Sequence, residues 1–174
     1  MTGWMARFRT RTAGAPTSVM GIDLGLDELR AVHVDHRPNP PVLLGLTRRA
    51  WAQGEHPAEP LRSAVTELRG EHARCVVAVG GPNVLVRPLT SSATDAADLM
   101  RGARQLVREQ LRFELDQVVF DHDHSTSAAS SPSDSRSRFV AVARRDQVDA
   151  LVSVVRAAGL SVDVVEVESL ALHN

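Results

Sequence analysis

The chain has no lysine and no tyrosine; all 20 of its basic residues are arginine. Beside so much alanine, arginine and valine, this reads as a coding bias without functional weight. Cys75 is the single cysteine, so neither an intrachain disulfide nor a multi-cysteine zinc site can form. It stands in the apolar run Cys75-Val76-Val77-Ala78-Val79, where a small buried hydrophobe is expected rather than a reactive thiol. No apolar run approaches the roughly 18 residues of a membrane-spanning helix. The first residues are basic but lack the apolar core and cleavage site of a secretory signal, so a cytoplasmic location is expected. With a net charge of −1, nothing in the charge balance recommends nucleic acid as a partner.

What is present suits a core-forming chain. Its 174 residues allow one domain or two small lobes. Residues 1–16 interleave Trp4, Met5 and Phe8 with Arg7, Arg9 and Arg11. This basic-aromatic tail has two readings, an unstructured chain end or a weak contact with an anionic membrane surface at about 1 kcal/mol per arginine.

Strands are expected at 18–23, 28–35 and 41–52, with the prolines of Arg37-Pro38-Asn39-Pro40-Pro41 forcing the second turn. Leu61, Ala64, Val65 and Leu68 follow the helical spacing and predict a helix over 57–69, stopped by Gly70. The continuous run 75–79 predicts a central strand buried on both faces. Beyond Pro82 come a strand at 84–89 and a helix at 93–110, with Ser91, Ser92 and Thr94 as candidate caps. The apolar face of that helix is Leu99, Ala103, Leu106, Val107 and Leu111. Strands at 117–121 and 138–143 flank a serine-rich loop. A helix capped by Asp146 ends at Gly159, followed by a strand at 162–167 and a helix from Glu168. The order is α/β throughout, and 83–167 reads as one inserted β-α-β-β-α-β module.

The most informative stretch is Gly21-Ile22-Asp23-Leu24-Gly25 at the first hairpin. Gly25 tolerates a positive φ and close approach of an anion to backbone N–H groups. Asp23 has two readings: holding a metal-bound water beside that anion, or capping the turn's own N–H groups as a buried carboxylate.

Four segments in order resemble the actin-like PilM family of type IV pilus assembly. Gly21 to Gly25 looks like its first phosphate loop. Val76-Val77-Ala78-Val79-Gly80-Gly81-Pro82-Asn83-Val84-Leu85-Val86-Arg87-Pro88-Leu89 is similar to its passage into an inserted subdomain. The stretch Gln110-Leu111-Arg112-Phe113-Glu114-Leu115-Asp116 through Asp121 matches its helix end and acidic strand, and Val140 through Leu172 its closing strand–helix–strand. The resemblance implies a partial actin-like lobe, with 17–80 and 168–174 in subdomain 1A and 81–167 as inserted subdomain 1C. It implies Gly21, Asp23 and Gly25 at a phosphate of Mg-ATP. It also implies a protein partner, the cytoplasmic N-terminal tail of the inner-membrane protein PilN, lying between the subdomains near Gly80, Gly81 and Pro82.

Departures from the family weaken the nucleotide site. Small hydroxyl residues and a lysine usually follow the second glycine; here stand Leu26, Asp27, Glu28 and Arg30. Leu26 cannot donate to a phosphate. Each carboxylate at about 5 Å from a phosphate charge costs on the order of 3 kcal/mol at an effective dielectric near 20. Alternatively, Asp27 and Glu28 point to solvent. The second phosphate loop and the adenosine motif of an actin-type site do not appear within these 174 residues. Half a site is expected, with no catalytic residue.

Other constellations are weaker. His122 and His124 share one strand face but lack a third ligand, so a strand end is expected there rather than a metal site. His33 and His72 are expected as surface or satisfied strand-end residues. Ser130, Ser131 and Ser133 have no nucleophile context. The final helix is expected to expose Leu170 or Leu172. The functional expectation is therefore a non-catalytic assembly scaffold. Its alternatives are an actin-like ATPase or the related component of type II secretion or competence machinery.

Overall fold

Strand-like alternation starts the fold. The computed structural model describes residues 17–51, 54–81, 84–90, 96–110, 114–122 and 137–171. β1 (Ser18–Leu24) buries Met20 and Ile22; β2 (Glu28–Asp35) buries Leu29, Ala31, His33 and Asp35. Every second side chain therefore turns to the same side, as the two-residue period of a strand requires. β3 (Val42–Ala50) returns antiparallel to β2, with a register shift between His33 and Val34. α1 (Ala58–Leu68) buries Ala58, Leu61, Ala64 and Val65, and β4 (Arg74–Val79) follows. β5 (Val84–Thr90), α2 (Ala96–Gln110), β6 (Val118–His122) and β7 (Ser137–Arg144) come next. The chain closes with α3 (Arg145–Ala157), β8 (Val162–Val167) and the short α4 (Glu168–Ala171).

The strands form two sheets, one of order β3-β2-β1-β4-β8 and one of order β5-β7-β6. β1, β4 and β8 run parallel, while β2 and β3 add antiparallel at one edge. On one face of the larger sheet, Met20, Ile22, Leu29, Ala31, Cys75 and Val77 share a core with the buried residues of α1. Val155 of α3, with Ala158 and Leu160 just beyond it, completes that core. Arg62 of α1 donates to the Ala157 carbonyl at 2.6 Å and ties the two helices together. In the smaller sheet, Val118, Val140 and Val142 pack with Val107 of α2. Arg145 anchors that unit: its guanidinium donates to the carbonyls of Asp116 (2.8 Å) and Val118 (3.0 Å), and its N–H to that of Gln117 (2.9 Å).

The described residues divide into two compact units, one comprising Gly81–Gln147 and the other residues 17–80 together with Val148 onward. This corrects the expected inserted module at its C-terminal end. Strand 162–167 joins the larger sheet, because Val164, Val165 and Glu166 pair in parallel with Val76, Val77 and Ala78. β4 is an interior strand, as expected, flanked by β1 and β8; it buries Cys75, Val77 and Val79 and leaves the alternate residues half-buried.

The two longer helices of the larger unit end in the same way, with one exchange of residue. At the end of α3, Gly159 has φ 90°; its N–H reaches the Arg156 carbonyl at 2.9 Å and the Leu160 N–H that of Val155 at 3.2 Å. This is the paired-bond arrangement in which a left-handed residue satisfies the last carbonyls. At the end of α1, that left-handed residue is Arg69 (φ 53°), not the expected Gly70. Gly70 supplies the second bond, to Val65 at 3.0 Å, and a Cβ there would fall 1.7 Å from the Met20 Cε. A side chain at this position would force the end of the Met20 side chain to move. Asp146 lies inside α3 rather than capping it; its carboxylate accepts the Gln147 N–H at 2.8 Å and pairs with Arg144. The Arg144 guanidinium holds the Asp146 carboxyl below its usual range.

The expected caps Ser91, Ser92 and Thr94, together with His124, the serine loop, Pro82 and Leu172, lie outside the described residues. Leu170 is half-buried. No described helix is long and apolar enough to cross a membrane.

Candidate functional site

The β1–β2 hairpin carries the residues expected at a phosphate. Gly21 lies within β1, where a Cβ would sit 2.9 Å from Val32 Cγ1. Its role in the hairpin is close cross-strand packing. Gly25 opens the turn, but it is absent from the positive-φ glycines Gly54, Gly81 and Gly159. The freedom expected of it is not what the turn uses. The constraint is steric: a Cβ would meet the Glu28 carbonyl at 3.0 Å. That carbonyl accepts the Gly25 N–H at 2.8 Å, so the donor expected to meet an anion is engaged within the turn.

Asp23 is about one-third exposed, and its carboxylate is held by Arg30 at 2.8 Å. This corrects one of its two readings, since the carboxylate neither lies deeply buried nor caps the N–H groups of the turn. Arg30 also reaches Glu28 at 2.9 Å, and Glu28 pairs in turn with Arg48 of β3. The Arg48 hydrogen bond, aided by Arg30, holds the Glu28 carboxyl below its usual range against the opposing effect of desolvation. Asp23 first, then Glu28, raises the Arg30 guanidinium. Leu26 at the tip is fully exposed, and the exposed Asp27 gives its carbonyl to the Trp51 N–H at 2.9 Å. Of the two acidic turn residues, only Asp27 stands out in solvent; Glu28 belongs to a four-residue charge network.

Hairpin symmetry carries the Asp23–Arg30 pair, because the two residues lie directly opposite across the turn. The Arg48 partner gives no such sign. Its alignment depends on the β2–β3 register shift, which spacing alone does not reveal.

The glycines expected at a partner contact differ in their local demands. Gly80 is half-buried, and a Cβ there would fall 2.0 Å from the Glu168 carboxylate of α4. Gly81 has φ 72° with open space where a Cβ would stand, so its conformation, not crowding, selects glycine.

Among the histidines, His33 is buried and its Nδ1 lies 2.9 Å from the Leu68 carbonyl, so that nitrogen carries the proton. Its Nε2 has no partner. His72 is exposed. Cys75 is buried as expected, and burial first, then the Asp163 charge, pushes its thiol up to about 12. Among the described residues no group of three or more His, Cys, Asp or Glu could hold a metal ion.

Comparison with known proteins places the fold. The chain is similar to a chain of the "PilM-PilN type IV pilus biogenesis complex" (TM-score 0.73, 23% identity, 88% of this chain and 48% of that one). It is also similar to the cytoplasmic domain of EpsL, an inner-membrane component of the Vibrio cholerae type II secretion system (TM-score 0.62, 11% identity, 85% and 56%). A Bacteroides thetaiotaomicron protein with an actin-like ATPase fold gives 0.52 at 9% identity, with 91% and 55% covered. The chain thus spans about half the length of these proteins, and the likeness establishes an actin-like fold. No curated protein sequence matches. Residues 42–174 match the family described as type IV pilus assembly protein PilM, and with that match covering most of its length the chain belongs to the PilM family.

Proposed function

We propose that the chain is a non-catalytic, cytoplasmic scaffold of type IV pilus assembly that binds the N-terminal tail of a PilN-like inner-membrane protein. The observation carrying this reading is the superposition of 88% of the chain on a protein of the PilM-PilN complex, supported by the family match. An extended tail captured on a preformed surface is an established mode of peptide recognition. In this proposal Gly80, Gly81 and Pro82 contribute to the peptide contact. Residues 1–16 add a weak attraction to the anionic inner-membrane surface.

Independence from nucleotide is supported by the hairpin itself. Asp23 is held by Arg30, the Gly25 N–H by the Glu28 carbonyl, and Leu26 offers no hydroxyl. A phosphate entering there would have to displace bonds already made. The likeness to the EpsL cytoplasmic domain favours one second reading, the equivalent component of a type II secretion system.

Calorimetric titration of the full chain with a synthetic PilN-like tail, with and without millimolar Mg-ATP, tests the proposal. Binding that is indifferent to nucleotide is expected. No binding would sink the scaffold reading, and binding only with Mg-ATP would restore the nucleotide site. A mildly crosslinked pull-down from cells separates the two machineries by which inner-membrane assembly proteins it recovers.

A further inference from the structure

We draw no further inference here: the strongest candidate, the second face of the five-stranded sheet, where Leu43 and Leu46 of edge strand β3 stand exposed opposite Val34 and Val32, carries nothing because nothing in the structure shows what covers it.

Discussion

The Asp163 carboxylate of β8 accepts the Cys75 N–H of β4 at 2.8 Å, where the parallel register between the two strands slips. Cys75 stands opposite Val162 and Val76 opposite Val164, so Asp163 has no counterpart in the ladder. Its side chain fills the gap its own backbone creates. A buried N–H without an acceptor costs far more than a well-made bond contributes, which explains why a carboxylate suits this bulge.

Replacing Asp163 with alanine is expected to destabilise the larger unit by about 1–3 kcal/mol, because the Cys75 N–H loses its acceptor. Asp163→Asn keeps an acceptor oxygen and should retain most of the stability. Urea unfolding of the three proteins checks the order; equal midpoints would show that water replaces the carboxylate.

The Cys75 thiol gives the chain an alkaline limit. With its folded pKa near 12 against an ordinary value of 9.0, the unfolded chain releases this proton first as pH rises. Stability from the buried neutral thiol is complete below pH 9 and is lost on the way to pH 12, at about 1.4 kcal/mol per pH unit. Denaturant midpoints at pH 8 and 10 should therefore differ more for the natural chain than for Cys75→Ala. The folded protein should also resist thiol reagents that label it readily in denaturant.

The helix ends predict opposite effects for two glycine exchanges. Arg69 occupies a left-handed conformation that costs a side-chain-bearing residue about 1–2 kcal/mol. Arg69→Gly removes that strain at an entropic cost of about 0.5–1 kcal/mol, so a modest rise in Tm is expected. Gly159→Ala imposes the same strain at the end of α3 and should lower Tm. A fall for both variants would mean that the Arg69 side chain makes a contribution of its own.

The arginine-paired carboxylates contribute stability that acid removes only as pH falls below the ordinary carboxylate range. The Arg37 side chain and backbone N–H both donate to Asp35 and hold its carboxyl below the ordinary range. A depressed folded pKa contributes stability above the unfolded value and loses it as pH falls through the folded one. Arg37→Ala should therefore lower stability most near neutrality, with the difference from the natural chain closing as acid protonates Asp35, so that the urea midpoint shifts less at low pH than at pH 7. Circular dichroism in urea at the two pH values measures the shift.

Most elements were legible because their apolar spacing is local. Leu61, Ala64 and Val65 mark α1 by themselves, and the alternation of Leu29, Ala31 and His33 marks β2. Partner choice was less legible. Val162 to Val167 reads plainly as a strand, but nothing in six residues says whether its neighbour is β4 or a strand of the smaller sheet. The same limit applies to Gly70, whose neighbour is the Met20 side chain fifty residues earlier. At the candidate site the glycines, Asp23 and its cross-strand partner Arg30 were visible as a pattern, while the turn bond from Gly25 to the Glu28 carbonyl and the Arg48–Glu28 pair depend on geometry that spacing does not give.

The late arrival of β8 has a consequence for synthesis on the ribosome. Cys75 and Asp163 meet across 88 residues, so one edge of β4 has no strand to pair with while the whole Gly81–Gln147 unit is being made. An open, apolar strand edge is a template for pairing with other chains. Such long-range closure is also slow compared with local hairpins and helices. The nascent protein thus passes through a stage in which four of the five strands of the larger sheet exist and the fifth does not, and that interval is when it most needs protection from its neighbours.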